Sequence, residues 1–171
     1  MQVIRPGHWE HLEFELEPLS QVVEWRSMQV RLRPAAASDK AFVQAVYFET
    51  QRWIIDQLFG WRGDEVERAK FEENYSERES EIVVLDGADV GWLSVRRDAR
   101  GMDIDAIYLL PAAQNRGIGT TLVREVIEEA RASGLPLTVS TAKINPARRL
   151  YERLGFVATH ESEFKIFMEM R

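Results

Sequence analysis

The stretch from Gln114 to Gly119 has the composition of a phosphate-binding loop. It follows a strand-like run at 104–110 that Pro111 closes, and it opens a helix-like run at 118–133. The first turn of a helix has backbone N–H groups without partners inside the helix, and the helix dipole adds about half a positive charge there. Glycines let a diphosphate approach such a backbone closely. The loop therefore predicts that the protein holds a phosphorylated cofactor.

The details of this loop argue against two common phosphate-binding motifs. A P-loop ends in Gly-Lys followed by Ser or Thr, whereas Gly119 is followed by Thr120 and Thr121. A dinucleotide fingerprint needs a third glycine three residues after the second, and that position is Leu122. A tight strand-to-helix turn without a ligand stays an open alternative at this point.

Composition limits the classes of function. The 171 residues fit one domain, and 45% of them are hydrophobic. The net charge of −6 and the pI of about 5.2 argue against a nucleic-acid binder and are compatible with a cationic substrate. Cysteine is absent, which excludes disulfides, thiolate zinc sites and an acyl-cysteine intermediate. We expect a cytoplasmic protein without a membrane partner, because the chain shows neither a secretory signal nor a membrane-spanning apolar run.

The chain divides into an N-terminal extension at 1–27 and a domain at 28–171. The extension shows no sustained hydrophobic period, and we interpret it as a segment that packs on the domain or on a partner. His8 and His11 have a spacing that could suit metal ligands, but a surface tail is the favoured interpretation.

The domain alternates strand and helix patterns. Strands are predicted at 29–33, 82–85, 90–95, 102–110, 137–141, 156–159 and 164–170. Helices are predicted at 42–47, 52–59, 64–75, 118–133 and 146–154. Asp86-Gly87 is a hairpin-turn signal between the second and third strands. This order is typical of an α/β protein with helices packed on a mixed sheet.

A second motif raises the specificity of the first. The segment 145–156 resembles the second signature of the GNAT superfamily of N-acetyltransferases, with its asparagine, alanine, tyrosine and final Gly-Phe pair at Asn145, Ala147, Tyr151, Gly155 and Phe156. Gln114-x-x-Gly117-x-Gly119 is similar to the pyrophosphate-binding signature of the same superfamily, and one helix and one strand separate the motifs, as in that family. The resemblance covers residues 29–171 and is strongest to small bacterial acetyltransferases with an unassigned acceptor. It implies a mixed, mostly antiparallel central sheet of about seven strands with helices on both faces.

The resemblance also implies how acetyl-CoA, as co-substrate, would be bound without a metal. The fourth strand would splay from the fifth, and main-chain groups near Leu109 would bond the pantetheine arm in the gap. Asn145 would contact the arm from the fifth strand, although an asparagine before proline also caps a helix well. The diphosphate would be bound by the loop and the first helical turn, at Gln114, Asn115, Arg116, Gly117, Ile118, Gly119 and Thr120.

Tyr151 is the candidate general acid. When an amine attacks the thioester, a CoA thiolate leaves, and a proton donor assists its departure. The family places a phenol beside the sulfur at this motif position. Core packing is the alternative role, because Leu150, Leu154 and Phe156 surround Tyr151 in the sequence.

The general base is chosen from several carboxylates. Some family members carry a base on the fourth strand, where alternation predicts that Asp103 and Asp105 share a face with Ile107 and Leu109. We select Asp105. Asp103, Glu49, His160 and a water relay remain alternatives.

The acceptor is expected to be a primary amine of a small molecule or peptide. The aromatic and acidic segment 47–61 suits a cation, and its candidate substrate contacts are Tyr47, Glu49 and Trp53. Glu161 and Glu163 could add negative potential. A non-catalytic acyl-CoA sensor, an interaction module and a different acyl donor remain alternatives. A homodimer is one expected assembly, because members of the family are often dimers.

Overall fold

The computed structural model describes residues 29–171 and arranges them as a seven-stranded sheet with helices on both faces. The predicted extension at 1–27, with His8 and His11, lies outside the described residues. The strands are β1 (Val30–Pro34), β2 (Ser80–Leu85), β3 (Ala88–Asp98), β4 (Gly101–Leu109), β5 (Leu137–Ala142), β6 (Phe156–Glu161) and β7 (Lys165–Met170). The helices are α1 (Lys40–Phe59), α2 (Asp64–Asn74), α3 (Ile118–Ser133) and α4 (Arg148–Arg153). No helix in this part of the chain is long and apolar enough to cross a membrane.

The sheet has the spatial order β1-β2-β3-β4-β5-β7-β6. Only the pairing of β4 with β5 is parallel, and all other neighbours are antiparallel. This arrangement confirms the predicted strand number and the mostly antiparallel mixed sheet. The β2–β3 hairpin turns at Asp86 and Gly87, which both have positive φ (50° and 88°), as a tight hairpin turn requires.

Two hydrophobic cores occupy the two faces of the sheet. On one face, α3 and α4 pack through residues such as Leu122 and Tyr151 against Leu93 and Ile104. On the other face, α1 and α2 pack through residues such as Val46 and Phe71. The position of helices on both faces is therefore confirmed.

The first helix differs from its prediction. The expected helices at 42–47 and 52–59 are one continuous helix, α1. Neither glycine nor proline interrupts residues 48–51, so only the weak apolar period suggested a break. The chain leaves the helix at Gly60, whose φ is 71°.

A β-bulge in β4 overturns the predicted face of the two aspartates. Ser94 pairs with Ala106 and Val95 pairs with Ile104, which leaves Asp105 as an extra residue. Ile107 and Leu109 pack against the α3–α4 core with Met102 and Ile104, while Ala106 and Tyr108 belong to the α1–α2 face. Because the bulge shifts the alternation, Asp103 and Asp105 do not share the face of Ile107 and Leu109.

Gly91 allows β3 to run very close to the end of β4. A Cβ atom at this position would lie 2.5 Å from the carbonyl oxygen of Tyr108 and 2.7 Å from a methyl of Leu109. Real Cβ atoms do not come so close to a carbonyl oxygen. The close approach of β3 to Tyr108 and Leu109 therefore requires glycine at position 91.

Candidate active site

The parallel strands β4 and β5 separate at their C-terminal ends. Their pairing runs from Met102–Leu137 to Ile104–Val139 and stops there. Beyond it, β4 continues to Leu109 beside β3, and β5 continues to Ala142 beside β7. The sheet therefore opens into a gap in which both strands have edges without a strand partner.

A cavity of about 540 Å³ lies at this gap. It joins four parts of the fold: the middle of α1, the end of β4, the start of α3 and helix α4 with the turn before it. Its lining residues are Thr50, Gln51, Trp53, Ile54, Ile107, Tyr108, Leu109, Ala113, Gln114, Asn115, Gly117, Ile118, Gly119, Thr120, Asn145, Pro146, Ala147, Leu150 and Arg153. The structure thus brings Leu109, Asn145 and most of the predicted loop to one cavity.

The loop before α3 is shaped by two left-handed residues. Asn115 has a φ of 58° and Gly117 a φ of 80°. The Gln114 amide donates a hydrogen bond of 2.7 Å to the carbonyl of Leu109, which fastens the loop to the end of β4. No side chain of the described residues caps the first turn of α3. This leaves the first-turn N–H groups available to an anion in the cavity.

At Gly119, in the first turn of α3, backbone without a side chain lines the cavity. A Cβ there would meet only a methyl of Leu150, at 3.4 Å, which is an ordinary contact. The packing of the fold therefore does not require glycine at position 119. A glycine there does expose the backbone to the cavity, which suits the close approach of a ligand. A diphosphate therefore fits this part of the cavity.

The side-chain oxygen of Asn145 is hydrogen-bonded within the protein. Its amide oxygen accepts a hydrogen bond of 2.9 Å from the N–H of Ala147, which caps the turn that leads into α4. Its NH₂ group has no hydrogen bond to a described residue and belongs to a side chain that lines the cavity. Capping and ligand contact are therefore compatible at Asn145.

Tyr151 lies deeper than the cavity wall. Its side chain is 3% exposed and packs edge to face on Phe156, with the ring centroids 5.7 Å apart. It does not line the cavity, although Ala147, Leu150 and Arg153 of the same segment do. Burial raises the pKa of the phenol, so Tyr151 stays protonated at neutral pH.

Asp105 sits in a charged cluster on the α1–α2 face. Arg96 lies 3.1 Å from the Asp103 carboxylate and 3.7 Å from that of Asp105. Partial burial, together with the hydrogen bond and charge of Asp103, raises the pKa of Asp105 to about 6, against the opposing effect of Arg96. Asp105 does not line the cavity, but its charge helps to raise the pKa of the cavity residue Tyr108.

The three predicted substrate contacts occupy different positions. Trp53 lines the cavity and is 46% exposed. Tyr47 is half-buried behind the wall, with its ring centroid 6.3 Å from that of Tyr108. Glu49 is exposed and does not line the cavity. Arg116 is also outside the lining, although its neighbours Asn115 and Gly117 are in it.

The other acidic and histidine candidates lie on the β6–β7 hairpin, away from the cavity lining. His160 stacks on Phe167 with the ring centroids 4.2 Å apart. Glu161 pairs with Lys143 at 2.8 Å. Within residues 29–171, no group of three or more metal-binding side chains is arranged to hold a metal ion.

Sequence reasoning missed several lining residues. Thr50 and Gln51 line the cavity because α1 runs uninterrupted past it. Tyr108 directly precedes Leu109 and could have been found by asking what the other face of β4 presents. Arg153 could have been found from its spacing, because the lining residues Ala147, Leu150 and Arg153 repeat every three residues from the N-cap of α4 to its end.

The fold and the cavity have the organisation of an acyl-CoA-dependent transferase. The chain matches the model of the acetyltransferase (GNAT) family over residues 47–156 and belongs to that family. It is therefore an N-acetyltransferase.

Several solved structures share the fold. The PaiA N-acetyltransferase from Thermoplasma acidophilum, in complex with coenzyme A, aligns with a TM-score of 0.69 and 17% identity, over 84% of this chain and 99% of that one. The ribosomal-protein-S18-alanine N-acetyltransferase from Escherichia coli aligns with a TM-score of 0.62 and 18% identity, over 83% and 93% of the two chains. A GCN5-related N-acetyltransferase structure from Rhodopseudomonas palustris aligns with a TM-score of 0.65 and 23% identity, over 84% and 96%. A comparison with curated proteins gave no match.

Proposed function

We propose that the protein transfers an acetyl group from acetyl-CoA to a primary amine of a small molecule or peptide, by direct attack while both substrates are bound. One observation carries the proposal. A single cavity runs from the uncapped first turn of α3 to the gap between β4 and β5. It offers an anion site next to an open strand edge, which suits a diphosphate joined to an extended, amide-containing arm.

The residues of the cavity fit acetyl-CoA part by part. The N–H groups at 115–120 bind the diphosphate, and Gln114 supports them from the cavity lining. Arg116 lies outside that lining and stays a predicted contact. The backbone near Leu109 bonds the amides of the arm, because this edge of β4 has no strand beside it. The NH₂ group of Asn145 donates to the arm from the opposite side.

Acetyl-CoA supplies an activated acyl group as a thioester, and the protein supplies position and proton transfer. Holding the amine beside the thioester replaces a two-body encounter with a positioned reaction. A backbone N–H near Leu109 stabilises negative charge on the thioester oxygen. Tyr151, whose phenol is protonated at neutral pH, is the proton donor for the departing sulfur. Because Tyr151 does not line the cavity, its proton reaches the sulfur through water.

Asp105 accepts the proton of the acceptor ammonium. Its raised pKa, about 6, makes it a better proton acceptor than an ordinary aspartate while it remains ionised at neutral pH. Asp105 does not line the cavity, whereas Tyr108 does. The proton of the ammonium therefore reaches Asp105 through water that passes Tyr108.

The acceptor enters along α1. Trp53 provides an exposed ring that lines the cavity. Tyr47 and Glu49 do not line the cavity and stay predicted substrate contacts. The cytoplasmic location, the homodimer and the absence of nucleic-acid and membrane partners remain predictions.

The test is an acetylation screen of the purified protein over amines, amino acids, polyamines, aminoglycosides and peptide N-termini. The readout is free CoA thiol above the rate without acceptor. An acceptor-dependent rate supports the proposal. Calorimetric binding of acetyl-CoA without turnover on any acceptor would indicate a sensor, and no binding at all would indicate an interaction protein that has kept the fold.

A further inference from the structure

Arg153 is the only charged side chain among the described residues that line the cavity. It is exposed, and it is the last residue of α4. Two other basic side chains nearby are paired with carboxylates: Arg148 lies 2.7 Å from Glu152, and Lys143 lies 2.8 Å from Glu161. Arg153 forms no ion pair with any residue of the described chain. The cavity therefore carries a positive charge that no residue within 29–171 neutralises.

Helix α4 places this charge at one end of a row of lining residues. Ala147, Leu150 and Arg153 follow one another at every third position, so they lie along one side of the helix. Asn145 stands at the beginning of this row. A Leu150 methyl lies beside Gly119 at the start of α3, in the middle of the row. Arg153 is one turn further on.

This order matches the order of chemical groups in the ligand of the proposed function. Asn145 meets the pantetheine arm, Gly119 and Leu150 border the diphosphate, and Arg153 lies beyond the diphosphate. The next anionic group of coenzyme A in that direction is the 3′-phosphate on the ribose. An arginine fork is well suited to phosphate oxygens.

We propose that Arg153 binds the 3′-phosphate of coenzyme A and selects the complete coenzyme over its 3′-dephospho form. The proposal rests on the proposed use of acetyl-CoA. It assigns Arg153 to recognition of the nucleotide and leaves the diphosphate to the backbone of α3.

The test is calorimetry with two ligands, acetyl-CoA and acetyl-3′-dephospho-CoA, on three proteins. These are the native chain, Arg153→Gln and the control Arg149→Gln. Arg149 suits the control because it is an exposed arginine on the same helix, lies outside the cavity lining and forms no ion pair with a described residue. Both variants lose one positive charge from α4, so a general field effect acts on both.

We expect the native protein and Arg149→Gln to bind acetyl-CoA about three- to tenfold more tightly than the dephospho form, the range of one partly exposed charged contact. We expect Arg153→Gln to bind the two ligands equally. The native preference should shrink as salt is added.

Two results would overturn the assignment of Arg153. The first is equal affinity of the native protein for the two ligands. The second is a preference that survives in Arg153→Gln, as it would if the variant lost the same affinity for both ligands. If the native protein binds neither ligand, the proposed use of acetyl-CoA fails, and that outcome differs from both.

Discussion

Tyr151 shows how one side chain can belong to the core and still take part in chemistry. Its ring packs on Phe156, while Leu150 before it reaches the cavity. The phenol is protonated at neutral pH, as a proton donor must be, and burial raises its pKa further. The two roles can be separated by removing the oxygen alone.

We predict that Tyr151→Phe lowers kcat by about 100-fold, a typical loss for general acid catalysis. Thiol release gives kcat, and calorimetry should show an unchanged Kd for acetyl-CoA, because the phenylalanine ring keeps the packing on Phe156. Tyr75→Phe is the matched control, because the Tyr75 hydroxyl is buried and lies outside the cavity lining. Equal turnover in Tyr151→Phe and the native protein would end the acid assignment.

Asp105 gives the second residue-scale prediction, a pH profile. A base works when deprotonated, and the folded pKa of Asp105 is about 6. We therefore expect kcat/KM to rise as the pH increases through about 6 and this limb to vanish in Asp105→Asn, with a lower plateau. Steady-state rates between pH 5 and about 8 would measure it.

Asp103 provides the control for this profile. The hydrogen bond and charge of Asp103 both raise the pKa of Asp105. Asp103→Asn should therefore move the acidic limb to lower pH without removing it. A limb that stays in place in both variants would belong to another group, such as the acceptor amine.

At the scale of elements, a substitution at the start of α3 should affect thermal stability and ligand affinity differently. Gly119→Ala adds a methyl that only Leu150 would contact, at 3.4 Å, and alanine favours a helix over glycine by about 1 kcal/mol. We predict an unchanged or higher Tm and an affinity for acetyl-CoA that is about tenfold lower, because the methyl keeps the diphosphate from the backbone. Thermal melts would measure Tm, and calorimetry would measure the affinity for acetyl-CoA.

Thr121→Ala is the matched control for Gly119→Ala. Thr121 also lies in the first turn of α3, but it does not line the cavity. Its alanine variant should bind acetyl-CoA as the native protein does. An affinity unchanged in Gly119→Ala would contradict the placement of the diphosphate.

The splay of β4 and β5 is an element-scale property with a traceable cause. β4 is held on its other side by β3, where Gly91 allows contact with the Tyr108 carbonyl. β5 is held by β7 over Thr138 to Ala142. The parallel pairing between them ends after Ile104 and Val139, directly before the bulge residue Asp105.

At the scale of the whole molecule, ligand binding should raise thermal stability. A ligand at 100 times its Kd stabilises the native state by about 2.7 kcal/mol. For a chain of this size we expect an increase in Tm of about 5–10 °C with saturating acetyl-CoA. ATP at equal concentration is the control, because it carries phosphates but no pantetheine arm and should shift Tm less. No shift with acetyl-CoA would argue against the cavity as its site.

Much of the whole fold was predictable because its signals are local. The Asp86-Gly87 turn, the helix at 118–133 and the strand at 137–141 were each placed to within about a residue. Turn chemistry and hydrophobic period act over a few residues, so the sequence displays them directly. The uncertain element was α1, where a weak apolar period concealed one helix of 20 residues.

The sequence by itself determined the family and the glycine-containing turn before α3, because both depend on residue types at short, fixed spacing, from Gln114 to Gly119 and from Asn145 to Phe156. Only the tertiary structure decided which side of β4 carries Asp105, how deep Tyr151 lies and that Arg153 reaches the cavity. A bulge exists only between two paired strands, and burial and shared cavities exist only between packed elements. Those relations join residues far apart in the chain, and no local pattern records them.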